Sequence, residues 1–313
     1  MRWLAEGSAE AVGAAVRAVA PELAGCPVAL SGRVGGQTPT FHGASAPLGG
    51  DFFVKFAWSR PAAVRLAHQI GVLRALAAGP VAPFLPEVVA ASTDPLLLIT
   101  RRAVGRSLFA VAATIDRDEA GRQLAEFLAA LQQPAVREHT EATVGPLPGL
   151  VLPPAGPGVL REQAVRWLRP DQRPAAQRWC DWAGVVLADP VPSVLVHGDF
   201  HGDNQIWDGG QLRTVLDFEN AAAGDPEYDL RTLPGPGLGP GVELLTATVA
   251  HYRRITGRQL SVERIMAWHL RSALNDVRWR SEAGLGMTDG RTPPDWADDL
   301  ATRFSALGVS PTP

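Results

Sequence analysis

Residues 193–220 read SVLVHGDFHGDNQIWDGGQLRTVLDFEN, and this stretch restricts the fold more than any other. Its apolar runs, SVLV, QIW and RTVL, are too short for helices and are parted by polar loops, so they read as strands. Asp208-Gly209-Gly210 is the tight turn joining the last two. A chain folded in this way carries His197, Asp199, His201, Asp203 and Asn204 in a loop at strand ends, not along a helix face.

Two chemistries use such a loop. The alternation of His197, Asp199, His201 and Asp203 suggests a metal cage, but zinc needs three or four ligands converging at about 2 Å, usually with further His or Cys. The remaining histidines, His42, His68, His139, His251 and His269, stand singly. Cys26 and Cys180 show no ligand spacing and read as buried thiols of a reducing cytoplasm. Phosphate transfer is the other chemistry. It requires a carboxylate for the attacking hydroxyl, oxygen ligands for Mg²⁺ and a cation on the nucleotide phosphates.

The cation is conspicuous. Of the 29 basic residues Lys55 is the one lysine, and it lies in the apolar strand-like run DFFVKFAW. An ammonium placed there needs a charged partner or ligand to offset its desolvation. Overall the net charge is −3, with no basic cluster, which argues against a nucleic-acid surface. The opening residues MRWLAEGSAEAVGAAVRAVA lack the apolar stretch of a signal peptide or membrane span, so a cytoplasmic protein without membrane or nucleic-acid partners is expected.

Along the chain, residues 8–20 predict a helix with Ser8 as cap and Val12, Val16 and Val19 on one face. Glycine-punctuated strands follow in 27–58. A helix then begins at Ser59-Arg60-Pro61, with Val64, Ile70, Leu73 and Leu76 on its packed face and Gly79 at its end. Residues 85–100 read as two strands about the Asp94-Pro95 turn. Leu124, Phe127, Leu128 and Leu131 follow helical spacing. Residues 144–158 read as a Pro/Gly-rich surface excursion, and 160–188 as helical, with Trp167, Trp179 and Trp182 supplying bulk to pack. Helices return at 242–256 and 261–282, after the glycine and proline cluster at 234–241.

Asp199 and Asn204 have the aspartate-to-asparagine spacing of a protein-kinase catalytic loop, and Asp217 stands after the next hairpin, where a second Mg²⁺ ligand belongs. Together HGDFHGDN, VLDFEN and GDPEYDL resemble the aminoglycoside phosphotransferase family, small-molecule kinases with the protein-kinase fold. The resemblance implies an α+β, bilobal chain. Residues 1–102 would form a small antiparallel-sheet lobe with one main helix, and residues 103–313 a larger, mostly helical lobe with short catalytic hairpins. It implies ATP, with GTP as the alternative, and Mg²⁺ as cofactors, and a small-molecule hydroxyl as acceptor: an aminoglycoside or other antibiotic, a sugar or an amino alcohol. By the same resemblance Asp199 is the catalytic carboxylate, Asn204 and Asp217 bind the metal, and Lys55 meets the phosphates. Thr100, Arg101, Arg102 and Ala103 would form the hinge beside adenine, with His197 bracing the loop.

The chain departs from the family pattern in two places. Gln69 stands where a helix glutamate usually pairs with the lysine; an amide accepts a hydrogen bond from an ammonium without neutralising it. Lys55 is then held less tightly, finds another acid, or is ordered by phosphate. The segment SGRVGGQTPTFHG also lacks the kinase glycine-loop pattern. Gln69 motivates a second reading, a nucleotide-binding pseudokinase, and the histidines motivate a third, a zinc hydrolase. Glu219 reads as a strut or a neighbour of the metal, His201 and Asp203 as a solvated part of the loop, Asp225 as a turn cap and Asp229 as a support behind the site. Trp268, Trp279 and Trp296 read either as core or as a stacking face for a sugar. With eight Asp/Glu and nine Arg in 242–313, nothing favours a strongly cationic acceptor.

Overall fold

The computed structural model describes residues 1–30, 42–150, 156–233 and 241–312. Most of the glycine segment 31–43, residues 151–155 of the Pro/Gly-rich stretch and residues 234–240 of the later cluster lie outside the described residues.

The N-terminal part is a sheet with a helix on either face. Helix α1 (Ala9–Val19) starts at Ser8, whose hydroxyl accepts from the Ala11 N–H at 3.2 Å. Strands β1 (Gly43–Leu48) and β2 (Phe52–Ala57) form a hairpin over Gly49 and Gly50, both at positive φ. Helix α2 (Arg60–Leu76) follows its Ser59 cap, and β3 (Val88–Thr93) and β4 (Leu96–Arg101) complete an antiparallel sheet in the order β1-β2-β4-β3. Strand side chains alternate between faces. Val54, Phe56, Leu97 and Ile99 therefore pack with Val12 and Val16 of α1, while Ala57, Leu96 and Leu98 pack with Leu66 and Ile70 of α2. This two-sided burial explains why LLLI is an unbroken apolar run. Lys55, between Val54 and Phe56, belongs to the α2 side. Val64, expected on the packed face of α2, is instead 53% exposed; the buried stripe runs through Ala62, Ala63, Leu66, Ile70 and Leu73.

After the sheet, β5 (Arg106–Ser107) leads through α3 (Leu108–Val111) to α4 (Arg117–Leu131) and α5 (Pro134–Val144). The helical stretch expected at 160–188 is broken. Helix α6 (Pro157–Gln163) and α7 (Arg173–Val186) are separated by a short 3₁₀ turn and Pro170, and Trp167 in that gap is 38% exposed beneath the Arg166 guanidinium. The short strands are β6 (Val194–Val196), β7 (Gln205–Asp208), β8 (Gln211–Val215) and β9 (Ala222–Gly224). They form two small antiparallel sheets, β5-β7-β8 and β6-β9. Helices α8 (Val242–Thr256) and α9 (Val262–Glu282) match the expected bounds, and Ser261 caps α9. A further helix, α10 (Pro293–Ala306), begins at a Thr292/Asp295 capping box.

One core runs from α2 and the sheet through α4 and the short strands to α8. Helices α4 and α8 approach closely at Gly121, where a Cβ would lie 2.6 Å from that of Ala247. A second core joins α6, α7, α9 and α10 around Trp182, Met266 and Phe304. Cys26 and Cys180 are free thiols; Cys180 is buried, which pushes its pKa up to about 12.

Candidate active site

The segment 197–200, which leaves β6, is gripped on all sides. Asp229 accepts from the His197 N–H at 2.8 Å and the Gly198 N–H at 2.9 Å; burial pushes its carboxyl up to about 6. Arg231 donates to the Gly198 carbonyl at 2.9 Å, and the Thr232 hydroxyl donates to that of Phe200 at 2.6 Å. The Phe200 ring stacks on Phe127 of α4 at 5.0 Å. Gly198 has φ 85 and its backbone passes so near Asn220 that a Cβ would stand 2.1 Å from that carbonyl oxygen. Only glycine meets both conditions.

His197 braces the loop. Its Nδ1 accepts from the Asp199 N–H at 3.2 Å, which leaves the proton on Nε2, 2.7 Å from the Leu216 carbonyl oxygen. The ring is completely buried against Phe218, at 4.5 Å, and desolvation lowers its pKa to about 3. It is a neutral spacer between the Asp199 loop and the end of β8, and it is not turned toward any metal position. Among the described residues, no group of three or more His, Cys, Asp or Glu side chains is placed to hold a metal ion.

Asp199 keeps its carboxylate partly exposed, and burial raises its pKa while His201 and Arg231 oppose the rise. Asn204 donates from Nδ2 to the Asp199 carbonyl at 2.8 Å, so its Oδ1 points elsewhere. The main chain of Asn204 accepts from the Leu216 N–H at 2.8 Å, which ties it to the segment leading into Asp217. Asp217 is the one non-glycine residue with positive φ (65) among the described residues, a strained turn of the kind found where a side chain must be aimed. His201, expected in a solvated part of the loop, stands beside the carboxylate: its Nε2 is 3.7 Å from Asp199 Oδ2 and 3.3 Å from Asn204 Nδ2.

Lys55 resolves the question raised by Gln69. Its Nζ donates to Gln69 Oε1 at 2.8 Å and pairs with Asp217 Oδ1 at 2.5 Å and Glu219 Oε2 at 2.7 Å. Glu219 Oε1 in turn meets Arg65 Nε, on α2, at 3.3 Å. Lys55, Gln69, Asn204 and Asp217 line a cavity of about 420 Å³. Thr100, Arg101, Arg102 and Ala103 line the same cavity, with Phe53, Leu98, Ile206 and Leu216 as its apolar walls. Arg101 is held outward by Glu87 at 2.8 Å, and the Arg102 guanidinium covers the Phe53 ring at 5.7 Å. Glu219 lies outside this cavity and lines an adjoining one with Lys55, Arg65 and Asp217. The structure thus brings Lys55, Gln69, residues 100–103, Asn204 and Asp217 around one cavity, whereas Asp199 lines neither cavity and is joined to the group through the bond from Asn204 to its main chain.

Behind the loop, Asp225 exceeds its expected role as a turn cap. It is buried, caps the Glu227 N–H at 3.1 Å, and accepts from Arg264 and from Trp268 Nε1, the latter at 3.1 Å. Burial beside this carboxylate pushes Glu227 up to about 8. Trp268 and Trp296 belong to the core, whereas Trp279 is 42% exposed and donates to Asp276 at 3.3 Å. Arg231 was not among the expected site residues; its place at the end of GDPEYDLR was the available signal.

The chain is similar to known phosphotransferases in sequence and in fold. Viomycin phosphotransferase of Streptomyces vinaceus is 29% identical over 214 residues, 65% of this chain and 72% of that protein. Among solved structures, the GDP and kanamycin complex of APH(2'')-IIIa superposes with a TM-score of 0.65 at 17% identity, covering 94% of this chain and 97% of the other. Spectinomycin phosphotransferase, in complex with ADP and spectinomycin, gives a TM-score of 0.62 at 12% identity over 95% and 94%. These two likenesses show the bilobal kinase-like fold. The family model described as the phosphotransferase enzyme family matches residues 30–259, a span that holds Lys55, the 197–204 loop, Asp217 and Asp229, and the chain therefore belongs to that family.

Proposed function

We propose that this phosphotransferase moves the γ-phosphate of ATP, or of GTP as the alternative donor, to a hydroxyl of a small molecule, an antibiotic foremost. The observation that carries the reading is one cavity lined both by Lys55, Asn204 and Asp217 and by residues 100–103, which lie further along the chain than Leu98, the β4 partner of Lys55. In this reading residues 1–102 are the nucleotide lobe and residues 103–313 the catalytic and acceptor lobe. Adenine lies against Thr100 to Ala103 and the walls Phe53, Leu98 and Ile206. Lys55 draws the phosphates to the far end.

The residues present suit Mg²⁺. Asn204 has its amide nitrogen committed to Asp199, and Asp217 has an oxygen beyond the one nearest Lys55, so each offers an oxygen donor. Bound there, Mg²⁺ would supply positive charge to the phosphate oxygens. Asp199, fixed at its own main chain by His197 and Asn204, orients the acceptor hydroxyl. It takes that proton as the new P–O bond forms and the bond to the leaving diphosphate breaks.

The relatives named above bear the names of antibiotics, which supports an antibiotic acceptor. Many carboxylates of the closing helices are engaged by arginines: Asp298 by Arg169, Glu282 by Arg166 and Arg278, and Asp299 by Arg303. This favours an acceptor with few cationic groups. No helix among the described residues is long and apolar enough to cross a membrane, and we assign the reaction to the cytoplasm, where ATP is made. The test is a Mg-ATP turnover screen across aminoglycosides, viomycin-like peptides, macrolides, amino sugars and amino alcohols. Acceptor-dependent release of ADP that disappears in Asp199→Asn is expected. Nucleotide binding without transfer to any acceptor would point to the pseudokinase, and hydrolysis without nucleotide to the zinc enzyme.

A further inference from the structure

We infer that Glu219 is the positioning residue that holds Lys55 against the nucleotide phosphates, in place of the helix glutamate whose position Gln69 occupies. The inference rests on the function proposed above. Lys55 has three partners, and they are not equivalent. Gln69, at 2.8 Å, is neutral and supplies an acceptor without a charge. Asp217, at 2.5 Å, is a metal ligand in the proposed reaction, so its charge is shared whenever the site is loaded. Glu219, at 2.7 Å, is the remaining carboxylate, with the oxygen nearest Lys55 facing it and the other facing Arg65.

The geometry gives Glu219 the reach that a helix glutamate would have. Its second oxygen meets Arg65 Nε at 3.3 Å, and Arg65 and Gln69 lie four residues apart on one face of α2. A single carboxylate thereby joins β2, α2 and the segment following β8. The short 3₁₀ turn 218–220 that presents it begins directly after the left-handed Asp217, so the turn that aims Asp217 also aims Glu219. The acid that pairs with Lys55 thus stands on the segment after β8, and the helix supplies the neutral Gln69.

Because Lys55 is the only lysine, its ammonium can be observed alone by NMR after labelling lysine with ¹⁵N at Nζ. We expect a sharp, slowly exchanging signal in the wild-type protein without nucleotide. In Glu219→Gln the signal should broaden as the ammonium exchanges freely, and kcat should fall about 10-fold or more because the phosphates lose their alignment. The double variant Gln69→Glu/Glu219→Gln, with the acid returned to the helix, should recover the signal and bring kcat to within about 3-fold of wild type. An unchanged signal and kcat in Glu219→Gln would overturn the inference, as would a loss of both that the double variant does not restore. A metal role for Glu219 would instead raise the Mg²⁺ requirement without rescue, which also overturns it. Should Glu219→Gln fail to fold, the double variant carries the test: folding with a sharp signal supports the exchange of roles, and failure to fold overturns it. The signal is read with no nucleotide or acceptor, so a failed search for phosphate transfer and a failed Lys55 anchor are told apart.

Discussion

Replacing His197 with glutamine tests whether that ring is a neutral spacer. A buried imidazole that stays neutral in the folded chain, with a pKa lowered to about 3, must be charged in the unfolded chain below the ordinary value of 6.5. Its contribution to stability is therefore complete above 6.5 and is lost as the pH falls toward 3. At pH 5, about one and a half pH units below the ordinary value, the loss is about 2 kcal/mol at 1.36 kcal/mol per unit. Glutamine does not titrate. It can still donate to the Leu216 carbonyl, but it is badly shaped to accept from the Asp199 N–H as well, a loss of about 1–3 kcal/mol at pH 7.5. Urea unfolding of both proteins at pH 7.5, 6 and 5 gives the difference directly, since carboxyl groups such as Asp229 and Glu227 are common to both. The variant should be the weaker at pH 7.5, and the gap should close by about 2 kcal/mol by pH 5. A gap that stays constant or widens on acidification would refute a neutral, buried His197 and reopen the case for a ligand or proton carrier.

Other outcomes follow from the same geometry. Asp199→Asn should lower turnover about 10²-fold or more in a coupled ADP assay while nucleotide still binds. Burial raises the pKa of Asp199, and the ionised form is the one that works, so activity should fall on acidification at a pH above the ordinary carboxylate value of 3.8, a limb readable from the pH profile of kcat/KM. Gly198→Ala forces a Cβ to within 2.1 Å of the Asn220 carbonyl at φ 85, and should cost more than about 10-fold in activity even where circular dichroism finds the fold intact. Arg264→Met leaves the buried Asp225 without its guanidinium and should destabilise the protein by about 3–5 kcal/mol in urea unfolding.

The sequence exposed those parts of the fold that local chemistry determines. The DGG turn, the Ser8, Ser59 and Ser261 caps and the bounds of α8 and α9 depend on residues within one turn of where they act. Lys55, Asn204 and Asp217 could be grouped from their order along the chain, and they line one cavity; their roles, and that of Asp199, belong to the function proposed above. Partnerships across the chain were not legible: Arg65 and Glu219 lie 154 positions apart, and nothing local to either announces the other. His201 looked idle because its own contacts depend on how the loop turns back over Asp199. Helical spacing across 160–188 does not show the break at Pro170 that leaves Trp167 outside a helix, whereas Thr292, Pro293 and Asp295 are a local mark of the start of α10.

Two cations, Lys55 and Arg65, face two carboxylates, Asp217 and Glu219, across the seam between the sheet and the catalytic hairpins. Their charges cancel, so this cluster adds no standing excess of positive charge to the cavity, whose other lining cations are Arg101, paired with Glu87, and Arg102, over the Phe53 ring. In the proposed function a phosphate would displace a carboxylate from Lys55, a loss that a ligand also meeting the apolar walls and residues 100–103 would recover. Inorganic phosphate and sulfate should therefore be weak inhibitors beside whole nucleotides, a difference that competition in the coupled ADP assay would read as selection against fragments at this seam.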